Sequence, residues 1–360
     1  MSVSSRLRFA RGVSIAAIAL WAGSASAQSD VVDPAKNNLP NPNPKVVKNW
    51  GMLPGSRTWG STAGVDIGPD GHVWAIDRCG ANRCEGSDQA PIVKFDRSSG
   101  KLLAAIGAGL FVFPHGIHVD RDGNVWVTDG GANKEGTKGH QVIKLSPEGK
   151  VLLSLGKPGV AGDGTSALLN EPCDVITAPN GDIFVGDGHS GQNPNAPPTT
   201  VARIVKFTKD GKLIKSWGKL GSAPGEFRTP HALAFDSRGR LFVADRGNHR
   251  LQIFDQEGKF LDAWEQFSRV SGLFIDRNDT LYAIDSESNP TRHPDWKTGV
   301  RIGSTKADKV IAFIPPHQTD SYQGAAGEGV AVDPEGNVYA AEGPNSRPVA
   351  GSGLTKYVKQ

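Results

Sequence analysis

After its first residues the 360-residue sequence has no apolar stretch long enough to cross a bilayer, which excludes a chain threaded through the membrane on helices. It holds three cysteines, so at most one internal disulfide can form. Lysine and arginine form no stripe interleaved with aromatic residues, and the formal charge is only +3, so the electrostatic footprint of a nucleic-acid binder is missing. Low-complexity runs are absent as well. What is abundant is glycine and proline, 45 and 24 residues spread through the chain, which point to many tight turns between short strands. Long helices have little room in such a pattern.

The beginning of the chain differs from the rest. Arg6, Arg8 and Arg11 precede the apolar run Gly12 to Trp21, and Ala25-Ser26-Ala27 supplies small residues for cleavage. Residues 1–27 therefore read as a secretory signal peptide, with a mature chain starting near Gln28, periplasmic or secreted and not inserted in a membrane. The apolar run is too short to serve comfortably as an anchor. Residues 28–44, rich in Pro, Asn and Asp without periodicity, read as a flexible lead-in. Export permits a disulfide, and Cys79 and Cys84 share one short loop where they could bridge, leaving Cys173 over. Monomeric behaviour is expected.

From residue 45 onward one motif recurs: apolar-x-apolar-Asp-x-x-Gly-x-apolar-aromatic-x-x-Asp. Six copies begin at Gly64, Gly116, Asp174, Ala232, Gly272 and Gly329, as in GIHVDRDGNVWVTD. The period of two marks each copy as a pair of strands with one buried face, and the central Asp-Gly, Asn-Gly or Glu-Gly supplies the turn. Four copies are followed by a second hairpin, such as VIKLSPEGKVLLSLG, so the unit is a four-stranded meander. Six such units make a six-bladed, all-β propeller over residues 45–360. The sixth copy has a third strand at Leu354 to Val358 but no residues left for a fourth. Lys45 to Gly51, KVVKNWG, closely resembles the outer strand KLIKSWG, so the N-terminal strand is expected to complete the last blade and close the ring. A seventh blade would need a repeat between Ser286 and Thr319, where none is legible.

In a propeller each innermost strand runs beside the central channel, so one repeat position appears six times around one ring. Just before the inner strands stand Ala63, His115, Cys173, His231, Ser271 and Glu328. His115, His231 and Glu328 belong to alternate blades, roughly 120° apart in a regular sixfold ring. Two imidazoles and a carboxylate with open positions suit Zn²⁺, or another divalent transition metal such as iron or manganese. The bland reading is that each His only hydrogen-bonds backbone in a wet channel; the alternate-blade pattern favours the metal. Cys173 lies in the same ring and is read as a buried small hydrophobe rather than a fourth ligand. A second ring, Asp77, Asp129, Asp187, Asp245, Asp285 and Glu342, closes each second strand. Because it recurs in every blade it reads as structural, accepting N–H groups of the following loop. Arg78, Arg246 and His189 follow three of these acids and would stand around a metal-bound substrate. Arginines suit a carboxylate and His suits proton transfer. As solvated loop charges they would do neither.

With these residues in place the sequence resembles the NHL-repeat propellers and, within them, the peptidyl-α-hydroxyglycine α-amidating lyases. FPHGIHVDRDGNVWVTD, EPCDVITAPNGDIFVGDG, RTPHALAFDSRGRLFVADRGNHRLQIF and GEGVAVDPEGNVYAAE carry the likeness. The resemblance implies a C–N lyase that releases glyoxylate, with a zinc ion held by three histidines, two of them matching His115 and His231 and the third falling at Glu328. It implies two active-site arginines at Arg78 and Arg246 and a catalytic tyrosine position occupied here by His189. An aspartate linked to structural Ca²⁺ falls at Gly329, which removes the expected calcium ligand. The expected function is thus metal-dependent cleavage of a small or peptide-linked carboxylate, by lyase or related hydrolase chemistry. The competing expectation is a non-enzymatic binding or scaffold propeller whose inserted loops, 130–140, 188–200 and 286–298, meet a partner.

Overall fold

The computed structural model describes residue 1 and residues 39–317, 327–342 and 353–360. The expected signal peptide, and the lead-in as far as residue 38, lie outside the described residues apart from Met1. Contacts divide the chain into two units, Met1–Asp30 and Val31–Gln360, and the fold is that of the second. Among the described residues no helix is long and apolar enough to cross a membrane.

Strands dominate because the repeat alternates apolar residues with turn residues and leaves no helical stripe. Among the described residues twenty-four strands form six four-stranded antiparallel sheets. In blade two the order runs from Pro114–Val119 at the axis through Val125–Asp129 and Gln141–Leu145 to Val151–Leu155 at the rim. The sixth sheet consists of Gly329–Val332, Val338–Ala341 and Leu354–Val358, completed by Lys45–Trp50 from the start of the propeller. Lys45 lies opposite Val358 and Trp50 opposite Leu354, so the ring closes as the end of the sequence requires. Blade five has its outer hairpin at Gly299–Ser304 and Ala307–Ile314, where the sequence carries no copy of the second-hairpin pattern.

The core lies between blades. Trp74, Ile76, Ile92 and Ile106 of blade one pack on Ile117, Val119, Val125 and Val127 of blade two, and comparable clusters fill the other gaps. Two positions show how closely the repeat is held to this geometry. At Gly116 an added Cβ would lie 2.5 Å from the Cys173 carbonyl of the next blade, so the inner strands approach to a distance only glycine permits. Blade five carries Asp279 where the other hairpins have glycine, and Asp279 still takes φ 60°, a conformation that Asp tolerates better than most side chains.

Candidate metal centre and its arginines

The recurring acids are structural, through a different loop from the one expected. The antiparallel register places Asp129 opposite Pro114, so its carboxylate meets the residues just before the inner strand of its own blade and accepts the N–H groups of Val112 and Phe113. Asp187 and Asp245 accept from Asn170 and Arg228 in the same way. Asp77 and Asp285 also accept backbone N–H groups of the loop that follows, at Gly80 and at Glu287 and Ser288, and Asp245 accepts from the Asn248 side chain there. These carboxylates pin the loops from which the site residues project.

His115 and His231 are the second residues of their inner strands, each after a proline, and each is 3% exposed. Nδ1 of His115 is 2.9 Å from the Cys173 carbonyl, and Nδ1 of His231 is 2.6 Å from the Ser271 carbonyl. A carbonyl can only accept, so both rings carry their proton on Nδ1 and aim the Nε2 lone pair inward. Both Nε2 atoms are buried without a hydrogen-bond partner. An imidazole oriented by a backbone carbonyl with its other nitrogen free is the geometry of a metal ligand.

His189 joins them. Gly188 turns the chain with φ 119°, where a Cβ would collide with the Val201 carbonyl at 1.9 Å, and the short 3₁₀ turn His189–Gln192 follows. The His189 ring centroid is then 5.2 Å from that of His115 and 5.5 Å from that of His231, which are 4.7 Å from each other. One ring nitrogen from each of the three lies within 4.8 Å of the others. Burial, reinforced by Arg246 at all three and by Arg78 at His115 and His189, lowers the pKa of each ring, that of His189 to about 3, so the rings are neutral near pH 7 as ligation requires. The unpaired Nε2 lone pairs of His115 and His231, with a ring nitrogen of His189 close by, fit a divalent transition metal that would displace the Arg246 contact if it took Nε2 of His189.

Glu328 is placed differently from the expectation that it completes the ligand set. It is 4% exposed and faces two guanidiniums, Arg78 Nη2 at 3.8 Å and Arg246 Nη1 at 3.5 Å, and it is not among the three clustered metal-binding groups. Burial raises its pKa, while Arg78 and Arg246 oppose the shift. His189, expected to move protons from outside the ligand set, lies close enough to His115 and His231 to share an ion with them, while Glu328 lies outside that cluster. Gly329 leaves no room for a calcium-binding side chain, since a Cβ would meet the Ala63 carbonyl at 2.9 Å. Cys173 is fully buried with its thiol pKa raised by burial, and its contribution to the site is the carbonyl that orients His115.

Arg78 is held flat against Phe113 at 3.8 Å, with Nε donating to the Pro114 carbonyl and Nη1 to Asn82. Burial lowers its pKa to about 10, which still leaves it charged. Arg246 donates from Nη2 to Nε2 of His189 at 3.1 Å. Nη2 of Arg78 and both Nε and Nη1 of Arg246 are buried without a hydrogen-bond acceptor. Fully buried guanidinium donors of this kind are costly unless a ligand satisfies them. Two further residues escaped the sequence reading. Glu287 accepts from Arg269 at 2.7 Å and pairs with Arg292 at 2.9 Å and more loosely with Arg246 at 3.9 Å, and Arg269 also donates to the Arg246 carbonyl. Their signal was available, because Glu287 follows Asp285 by two residues, as His189 follows Asp187. The expected bridge between Cys79 and Cys84 is formed.

Below the histidines the channel narrows to a cavity of about 50 Å³ lined by His115, His231 and Glu328. Above them, on the loop side, His189 lines a cleft of about 840 Å³.

The NHL repeat family model matches residues 227–254, within the fourth of the six four-stranded blades of this β-propeller. Within that class it is similar to the amidating lyases. It is 30% identical over 293 residues to a peptidyl-glycine α-amidating monooxygenase of Xenopus laevis, covering 75% of this chain and 30% of that protein. It is 29% identical over 269 residues to a peptidyl-α-hydroxyglycine α-amidating lyase of Drosophila melanogaster, covering 65% of this chain and 46% of that one. A human NHL repeat-containing protein is 36% identical over 186 residues, half of each chain. The chain thus spans about three tenths of the monooxygenase it matches and less than half of the fly lyase. Among solved structures a Xanthomonas campestris gluconolactonase aligns with TM-score 0.54 at 17% identity over 83% of this chain and 86% of its own. A streptogramin B lyase aligns with TM-score 0.51 at 15% identity over 87% and 96%. At that identity the two structures bear on the fold alone.

Proposed function

We propose that this chain is an exported, metal-dependent lyase that splits a substrate ending in α-hydroxyglycine into an amide and glyoxylate. The observation that carries the reading is the convergence of three neutral histidines, two with unpaired Nε2 atoms, on a wall of buried guanidinium donors that lack acceptors. His115, His189 and His231 would hold the ion. A divalent metal such as zinc supplies Lewis acidity at an oxygen of the substrate and lowers the pKa of a hydroxyl there.

This chain's own groups supply the rest. Nη2 of Arg78 and Nε and Nη1 of Arg246, which complete no hydrogen bond within the protein, are free to donate to the substrate carboxylate. Glu328, lining the same narrow cavity as His115 and His231 and carrying an Oε2 without a hydrogen-bond partner, accepts the proton of the hydroxyl group. Its raised pKa makes it a stronger base than an exposed carboxylate. As the C–O bond gains double-bond character the C–N bond breaks, and the proton passes to the departing amide nitrogen. The products are a primary amide and glyoxylate, with no atom unaccounted for.

The test is glyoxylate release from an N-acylated α-hydroxyglycine peptide by zinc-loaded protein. Glyoxylate and amide in equal amounts are expected, with Arg246→Ala or Glu328→Gln lowering kcat by about 100-fold, the usual loss for one electrostatic or acid–base group. Metal-loaded wild type that releases no glyoxylate overturns the reading. A hydrolytic reaction would instead leave a carboxylic acid from an ester, lactone or amide, and product analysis separates the two.

A further inference from the structure

The cleft above the histidines has a charge that the lyase chemistry does not use. Three arginines, Arg228, Arg269 and Arg292, line its roughly 840 Å³, and no aspartate or glutamate does so among the described residues. Beneath it Glu287 serves the guanidiniums of Arg246, Arg269 and Arg292, and Arg246 also faces Glu328. Arg269 is spent on holding this cluster together, donating to Gln192, Glu287 and the Arg246 carbonyl. Arg228 and Arg292 are not so engaged. The guanidinium of Arg228 makes one long contact, 3.4 Å, with the Gly191 carbonyl, and the Arg292 side chain is half exposed with one nitrogen on Glu287. A protein rarely concentrates like charges in a concave wall without an opposite charge to receive.

We propose that this cleft is an anion subsite that receives the part of the substrate preceding the reacting residue, and that the preferred substrate is a peptide with an acidic side chain there. The proposal rests on the lyase reading for the identity of the reacting end, while the cleft's preference for an anion stands on its own charge. His189 lies on the boundary, lining the cleft and belonging to the histidine group, so a chain whose terminal residue reaches the histidines from the loop side runs through the cleft. The residue before the reacting one then passes Arg228 and Arg292. A carboxylate can pair with either guanidinium through two parallel N–H bonds.

Matched α-hydroxyglycine peptides with Glu, Ala or Lys before the terminal residue test it. Their order in kcat/KM should be Glu, Ala, Lys, with Glu over Lys by at least about tenfold at low ionic strength and less in added salt. Arg228→Gln should bring the Glu-to-Lys ratio towards one, and Arg228→Lys should keep most of it. A ratio near one in wild type, or one unchanged in both Arg228→Gln and Arg292→Gln, overturns the subsite. A second arm needs no turnover: calorimetric binding of the amidated Glu peptide against the amidated Lys peptide. If no peptide is cleaved the lyase reading fails, and the binding arm still decides the cleft. Tighter binding of the acidic peptide supports it; equal binding overturns it.

Discussion

At the residue scale, burial rather than charge pairing decides the titration of several groups. Glu342, the sixth acid of the second ring, accepts the Thr355 hydroxyl and is 5% exposed, and burial raises its pKa to about 7. A carboxyl group whose folded pKa exceeds the unfolded value of about 4.3 binds its proton more tightly when folded. Its contribution to stability is therefore full at low pH and is lost as pH rises from about 4 through 7. Asp129, raised to about 6 by burial, acts with the same sign. Glu342→Gln keeps an acceptor for Thr355 and removes the charge, so its melting temperature should exceed that of wild type at pH 8 and approach it at pH 5. A melting temperature below wild type by the same margin at both pH values would contradict this account.

The residue scale is also where the sequence was least explicit. His115 and His231 were legible because they break a repeat at a fixed angular position, and Arg78 and Arg246 because each directly follows a repeated acid. Glu328 satisfies the same positional rule as the two histidines, yet the arginines draw its carboxylate away from their group. His189 enters that group through the unusual turn at Gly188, a path that a count of strand positions does not contain. Angular position around a ring was readable; how far each loop reaches over the channel was not.

At the scale of elements, closure rests on Lys45–Trp50. Trp50 is the anchor, with ring centroids 5.0 Å from Tyr339 in its own blade and 5.9 Å from Phe95 in the next. Trp50→Ala should destabilise the protein by about 3–5 kcal/mol in urea denaturation, the range for a large buried aromatic. A loss below about 1 kcal/mol would mean that the strand is not needed to close the ring. The closure is legible in the sequence alone, since KVVKNWG matches an outer strand that the sixth repeat lacks. Blade five was harder. Its outer hairpin, GVRIGSTKADKVIAFI, lacks the Asp-x-x-Gly turn and carries register shifts around Gly303, so the local signal was weak even though the fold demanded two strands.

At the scale of the whole molecule, six blades place one residue each around one channel, and the narrow cavity and the wide cleft meet at the histidines. Metal binding to such a preformed site stabilises the folded chain through mass action, by about 2.7 kcal/mol at metal a hundredfold above its Kd. Chelation of metal-loaded protein should therefore lower the melting temperature by roughly 5 °C or more. An identical melting temperature with and without chelator would argue against a site that belongs to the fold.

The central claim is that His115, His189 and His231 hold the metal while Glu328 faces the arginines. Elemental analysis of chelator-free wild type and of the His115→Ala, His189→Ala, His231→Ala and Glu328→Ala variants tests it most directly. The account predicts one metal per chain in wild type, retention in Glu328→Ala, and loss in each histidine variant. Metal that survives His189→Ala and disappears in Glu328→Ala, or wild type that binds none, would contradict it.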